Sequence, residues 1–373
     1  MAVLEPPSAA GAEGADGGAG PPLRLRRAAL VGALDDLRAC ADLPGLRAGV
    51  AALRGAVAPG GALWCAAGGE EAVVFAEGLL HAELDQIGAA LTLERARYYV
   101  ERLRKAAAGA RTAAINEIDL NRWKAYDDIF TDSLWLIERR DGSGVHRADY
   151  WGNFVPQIPN QLMRRYTRRG DWVLDPFAGA GTTLIEGQRL GRNTLGVELQ
   201  PPLVERVRAL VAAEPNRHNV SAHVEAGDSA EADFAALLAA RGAASAQLAV
   251  IHPPYHDIIR FSDDPRDLSN AGSVGEFLRL LGRVVENVSR ALDDGRYLAL
   301  VIGDKYVRGE WVPLGFMAMQ VVQERGFTLK SIVVKDINGT AGKRSQKELW
   351  RYRALVGGFY VFRHEYIFLF RKR

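Results

Sequence analysis

Two short strings in this chain carry residue types that can do chemistry. The first is Asp175-Pro176-Phe177-Ala178-Gly179-Ala180-Gly181-Thr182-Thr183, with Glu198 downstream of it. Between a strand and a helix, such glycines let the backbone approach a ligand closely and leave the following helix N-terminus free. A carboxylate at Glu198, where the next apolar run ends, can accept from both hydroxyls of a ribose. No lysine follows the second glycine, which argues against a triphosphate cradle. The second string is His252-Pro253-Pro254-Tyr255. Its prolines remove competing N–H donors and stiffen the turn. A neutral imidazole accepts one hydrogen bond and donates one, and the tyrosine adds a flat aromatic face. The two cysteines, Cys40 and Cys65, are far away in sequence, so no thiolate nucleophile belongs to this string.

Both strings end short apolar runs. Trp172-Val173-Leu174 runs into Asp175, Thr194 to Val197 into Glu198, Gln247 to Ile251 into His252, and Tyr297 to Ile302 into Gly303-Asp304. Helical segments at 201–213, 274–292 and 313–325 lie between them. Strands alternating with helices predict an α/β fold, a doubly wound, mostly parallel sheet with helices on both faces. Ligands bind such sheets at the carboxyl ends of the strands. Lys330 to Val334 and Tyr366 to Phe370 read as two more strands joined by loop, an antiparallel closing pair. Upstream, Leu30, Leu34 and Leu37, then Leu84, Ile87 and Leu91, then Tyr99 and Leu103 have helical spacing, and no tandem repeat is evident. The expected organisation is a disordered Ala/Gly/Pro tail over 1–23, a mostly helical region over 24–145 and the α/β domain over 146–373.

The string from Asp175 to Glu198 resembles the S-adenosylmethionine (AdoMet) motif of bacterial DNA amino-methyltransferases, the N6-adenine and N4-cytosine enzymes. The resemblance covers about residues 150–373, in the circular order that places the cofactor motif first. It implies a Rossmann-like class I methyltransferase fold with AdoMet as cofactor. By the same resemblance Asp175, Phe177, Gly179, Gly181, Thr182 and Thr183 line the methionine half. Glu198 holds the ribose and Asp228 meets the adenine amino group. Phe154 and Pro156, in the segment before the first helix of the domain, close over the methionine. The family's catalytic motif is Asp, Asn or Ser followed by Pro-Pro and an aromatic residue, so His252, Pro253, Pro254 and Tyr255 become the catalytic set. An exocyclic base amine is a poor nucleophile. An acceptor on the first residue and a main-chain carbonyl orient its lone pair, and the aromatic ring stacks on a flipped base. His252 departs from the pattern. It can act only while neutral, so activity is expected to fall as pH drops through its pKa, within the pH 5 to 8 window of an ordinary histidine.

The formal charge is only +2, yet residues 339–373 hold nine basic and two acidic residues. Within them Lys343, Arg344, Lys347 and Arg351 are interleaved with Trp350 and Tyr352, which suits phosphate contact and base stacking. The expected partner is double-stranded DNA. A restriction or defence-system partner and a homodimer are open expectations. Two cysteines suit a reducing cytoplasm, and no apolar run nears the ~20 residues of a membrane span. Other readings stay open: methylation of RNA or of a protein glutamine, or a catalytically degenerate subunit that binds AdoMet and DNA. Asn121-Arg122-Trp123 and Thr131-Asp132-Ser133-Leu134-Trp135 resemble the lead-in of related sequences without an assignable role.

Overall fold

The computed structural model describes residues 22–65, 72–337 and 347–373. The chain divides into two compact units, residues up to 112 with 118–127, and 113–117 with 128–373.

The first unit runs β1 (Pro22–Arg26), α1 (Arg27–Ala39), α2 (Leu43–Val57), β2 (Ala72–Ala76), α3 (Glu77–Gly88) and α4 (Leu93–Ala108). It is a duplication with an offset of 50 residues, which corrects the expectation of no repeat. Core positions recur in pairs: Leu23 with Val73, Leu25 with Phe75, Leu30 with Leu80, Leu34 with Leu84, Val50 with Val100, Leu53 with Leu103. The N-caps recur too. The Asp42 side chain accepts the Gly45 N–H, and the Thr92 side chain accepts the Arg95 N–H. β1 and β2 pair antiparallel with Arg24 opposite Val74, its own repeat equivalent, and Pro22 opposite Ala76. The two halves are therefore related by a local twofold axis through the centre of the ribbon. Neither half can bury its apolar helix stripes alone, and each supplies the other's core. Leu91, read from its spacing as part of a helix face, lies between α3 and α4 and is 89% exposed.

The second unit contains β3 (Leu134–Trp135), α5 (Gln157–Tyr166), β4 (Trp172–Asp175), α6 (Thr182–Leu190), β5 (Asn193–Glu198), α7 (Pro201–Ala213), β6 (Ala222–Ala226), α8 (Phe234–Ala239), β7 (Ala246–Ile251), α9 (Val274–Ala291), β8 (Leu292–Ile302), β9 (Lys305–Val307), β10 (Glu310–Val312), α10 (Leu314–Gln323), β11 (Phe327–Asp336), α11 (Lys347–Gly357) and β12 (His364–Lys372). Eight strands form one sheet in the order β3-β11-β12-β8-β7-β4-β5-β6. β8, β7, β4, β5 and β6 are parallel neighbours. β12 is antiparallel to both β8 and β11. Alternation along the strands divides two cores. Val173, Leu248, Val250 and Val301 face α5, while Leu174, Ile251, Leu300 and Ile302 join the cluster that includes Phe277 and Leu281 of α9 and Ala318 of α10. The α/β class, the helices on both faces and the closing antiparallel pair agree with the sequence reading. The connection between β11 and β12 does not. It contains α11, whose Leu349, Leu355 and Val356 are exposed, so no buried stripe announces the helix. Residues 128–145, grouped in sequence with the N-terminal region, pack in this second unit. β3 pairs with β11 and the Phe130 N–H donates to Gln161.

Candidate active site

The chain passes from β4 to β5 and β6 on one side of the sheet, then returns to β7 on the other. The β4–β7 boundary is thus a topological switch point, where a crevice opens beyond the carboxyl ends of parallel strands. Both strings from the sequence end there.

On the β4 and β5 side, Asp175 closes β4, and its carboxylate accepts the Phe177 N–H at 3.0 Å. Gly179 and Gly181 have φ of +49° and +78°, and a Cβ on Gly181 would meet Val207 at 2.7 Å. Those two positions need glycine for the turn to enter α6. Glu198 closes β5 and accepts the Gly179 N–H at 2.9 Å and the Gln200 N–H at 3.0 Å. Asp228 follows β6 and accepts the Ala230 N–H at 2.8 Å. Three adjacent parallel strands thus present an acidic residue at the same edge. Burial pushes Asp175 up to about 6 and also raises Glu198, and the charge of Glu198 adds to the rise at Asp175. Among the described residues, no side-chain cation pairs with either carboxylate. A ligand bearing positive charge and ribose-type hydroxyls fits this donor set, and AdoMet, with a sulfonium, an ammonium and a ribose, meets both needs. Thr182 and Thr183 are buried in the first turn of α6.

The segment before α5 covers this turn. The Tyr150 ring lies against Gly179, where an added Cβ would sit 3.3 Å from it. The Thr182 hydroxyl donates to Asn153 at 2.7 Å. Phe154 is buried and meets the His252 ring edge-on at 4.8 Å, so this side chain packs against the second string. Pro156 caps α5.

His252-Pro253-Pro254-Tyr255 leaves β7. The Tyr255 hydroxyl donates to Glu365 at 2.8 Å, and His252 Nε2 stands 3.2 Å from the Tyr255 oxygen. The tyrosine has one proton and gives it to the carboxylate. His252 Nε2 must then be the donor to the tyrosine oxygen, which leaves Nδ1 unprotonated as an acceptor. Glu365 begins β12 and pairs with Lys335 at the end of β11 at 2.9 Å, with both side chains buried. Burial pushes Glu365 up, but the Lys335 ammonium outweighs it and holds the carboxyl below its usual range. Burial pushes His252 down to about 4. The expected loss of activity within pH 5 to 8 is thereby corrected, because the imidazole is neutral over that whole window. Gly303 lets the Tyr255 ring lie flat on the end of β8, where an added Cβ would stand 3.0 Å from the ring. Glu365 and Lys335 were not found from sequence. The available signal was a charged residue at the inner end of each apolar strand, in register with its partner (Lys335 opposite Glu365).

After the second string, the chain is pinned by Lys305. Its ammonium donates to His256 Nδ1 at 2.8 Å and also contacts Asp257, while His256 Nε2 donates to the Ala271 carbonyl at 2.8 Å. His256 adopts a positive φ of 53° and is a loop anchor. Of the basic residues named from sequence, Lys343 and Arg344 lie outside the described residues, as does the side chain of Lys347. Arg351 is exposed on α11. The connection carrying them leaves β11 and enters β12 beside Ile302, at the sheet edge that holds the site. The charges at 371–373 sit at the opposite edge. There Arg371 donates to the Gly295 carbonyl, and Lys372 donates to the Ser289 and Leu292 carbonyls.

No helix among the described residues is long and apolar enough to cross a membrane. Residues 98–208, which include the first string but not the second, match the family described as DNA methylase. The chain is 38% identical over 75 residues to the type II methyltransferase M.MjaII of Methanocaldococcus jannaschii, across 20% of this chain and 14% of that protein. It is 32% identical over 101 residues to the type II methyltransferase M2.DpnII of Streptococcus pneumoniae, across 26% of this chain and 34% of that protein. The matches thus span between 14% and 34% of these relatives' lengths. Among solved structures, TrmN from Thermus thermophilus aligns at 16% identity with a TM-score of 0.37, covering 59% of this chain and 49% of that one.

Proposed function

We propose that this chain belongs to the DNA amino-methyltransferase family and transfers a methyl group from AdoMet to an exocyclic amino group of a base in double-stranded DNA, N4 of cytosine or N6 of adenine. The observation that carries the reading is the convergence of the acidic, glycine-lined turn and the His-Pro-Pro-Tyr string at one switch point.

Asp175, Glu198 and Asp228 would hold the cofactor, with Phe177, Gly179, Gly181, Thr182 and Thr183 shaping its turn and Phe154 and Pro156 beside it. When bound, the cofactor supplies an electrophilic methyl group. The remaining work belongs to the protein. His252 Nδ1 accepts one N–H of the target amine, and a carbonyl of the Pro253-Pro254 turn accepts the other. The nitrogen lone pair is thereby turned out of conjugation with the ring. Tyr255 is fixed by Glu365, and this hydrogen bond also sets the imidazole tautomer. The Tyr255 ring offers a stacking face to a base extruded from the duplex. The gain is orientation and electrostatics, and no enzyme–base bond is needed. Lys343, Arg344, Lys347 and Arg351, interleaved in sequence with Trp350 and Tyr352, suit phosphate contact. A restriction or defence-system partner, a homodimer and a cytoplasmic site of action belong to this reading by resemblance alone.

The test is mass-spectrometric nucleoside analysis of DNA from a methylation-free host expressing wild type or His252→Ala. N4-methylcytosine or N6-methyladenine with wild type alone supports the proposal and identifies the base. Methyl transfer to total RNA or release factor instead of DNA would overturn it. So would AdoMet and duplex binding with no transfer at all, the behaviour of a degenerate subunit.

A further inference from the structure

The duplicated first unit presents a two-stranded ribbon whose inner residues, Leu23, Leu25, Val73 and Phe75, are buried in its own core. The outer face is formed by Pro22, Arg24 and Arg26 on β1 and by Ala72, Val74 and Ala76 on β2, with Arg24, Arg26 and Val74 exposed. Both ribbon edges are already engaged. On the outer side of β1, the Cys65 N–H donates to the Arg24 carbonyl and the Arg26 N–H to the Leu63 carbonyl. On the outer side of β2, Arg122 donates to the Val74 carbonyl. Strand addition by a partner is therefore blocked, and the face is what remains for docking.

Of the eight arginines on the unit's helices, Arg27, Arg47 and Arg97 donate to main-chain carbonyls and Arg95 to the Tyr99 hydroxyl. Arg38, Arg54, Arg102 and Arg104 each pair with a carboxylate of this unit. Arg24 and Arg26 pair with none among the described residues. Arg26 reaches only the Ala62 carbonyl, and the six outer positions include no acidic residue. A two-stranded ribbon is one of the two elements that fit the major groove of B-form DNA. Arginine reads guanine through two parallel hydrogen bonds, and small apolar side chains contact the thymine methyl group.

We infer that the outer face of the β1–β2 ribbon docks in the major groove of duplex DNA, with Arg24 and Arg26 as its polar contacts and Val74 as an apolar one. The duplicated unit thereby supplies target recognition to the methyltransferase unit. This inference rests on the DNA reading of the function.

The duplication provides a substitution that the fold already tolerates. Arg24→Val with Arg26→Ala copies the residues found 50 positions later. In the full-length protein this variant should weaken duplex binding by at least about tenfold and flatten its salt dependence. It should raise KM for DNA with little change in kcat, and leave AdoMet affinity and the melting temperature unchanged. The reverse pair, Val74→Arg with Ala76→Arg, should tighten duplex binding. Unchanged duplex affinity and KM in the first variant, with wild type methylating DNA, would overturn the ribbon role and leave the function standing. Wild type that neither binds nor methylates duplex DNA, but modifies RNA or protein, would overturn both.

Discussion

Asp175, buried, and His252, half-buried, are ionisable groups whose neutral forms are favoured by desolvation, and the consequences for catalysis separate. Asp175 stands at about 6, above its unfolded value of about 3.9. Its favourable contribution to folding is present at low pH and lost as pH rises through 6. At pH 8 the ionised carboxylate strains the ligand-free protein. Asp175→Asn should raise unfolding free energy there by up to about 3 kcal/mol and abolish AdoMet binding, as calorimetry of free and cofactor-loaded protein would show. His252 stands at about 4, below its unfolded value of about 6.5. The penalty it places on folding builds as pH falls from 6.5 to 4 and is absent above. At saturating AdoMet, kcat should therefore be flat from pH 5 to 8 with respect to this residue, while kcat/KM for AdoMet falls below pH 6 with Asp175. A kcat that halves near pH 6.5 would contradict the neutral imidazole. The types and spacing of both strings were legible in sequence. The depth of His252 was not, because burial is set by Phe154, Glu365 and Lys335, which are far from it in the chain.

At the scale of elements, the strand–helix alternation was legible because β4, β5 and β7 are buried on both faces and so read as continuous apolar runs. Edge strand β6, with Val224 alone buried, leaves no such run. β3 and β9 are too short to leave a pattern, and α11 has no buried stripe. What alternation could not reveal is the β11–β12 register that brings Lys335 against Glu365. Two residues that cap strands 30 positions apart become a buried ion pair only when that register forms. Lys335→Met should cost about 3–5 kcal/mol in urea unfolding, since it leaves the Glu365 carboxylate buried without its partner. Lys335→Met with Glu365→Met should recover most of that stability. It should not recover methyl transfer, because Tyr255 then loses the acceptor that sets the His252 tautomer. Full recovery of activity in the double variant would refute the tautomer argument.

At the scale of the whole molecule, the first unit's symmetry escaped a reading by residue identity because the repeats share burial more than sequence. Leu30 and Leu80 match, as do Val50 and Val100, but Arg24 matches Val74 and Leu25 matches Phe75. Leu34→Ala and Leu84→Ala, fully buried equivalents, should each destabilise this unit by about 2–5 kcal/mol. A large difference between them, measured by chemical unfolding, would mean that the two halves do not share one core. The second unit's topology bears on how the protein is made. β12 lies inside the sheet, between β11 and β8, and it carries Glu365. A nascent chain emerging from the ribosome can assemble β4 to β8 around the cofactor turn, yet it leaves β8 with an open edge until synthesis has passed residue 372. Because domains tend to fold as they are made, the cofactor half is complete before Glu365 has been translated, and on the proposed function an unfinished polypeptide would hold AdoMet without being able to spend its methyl group.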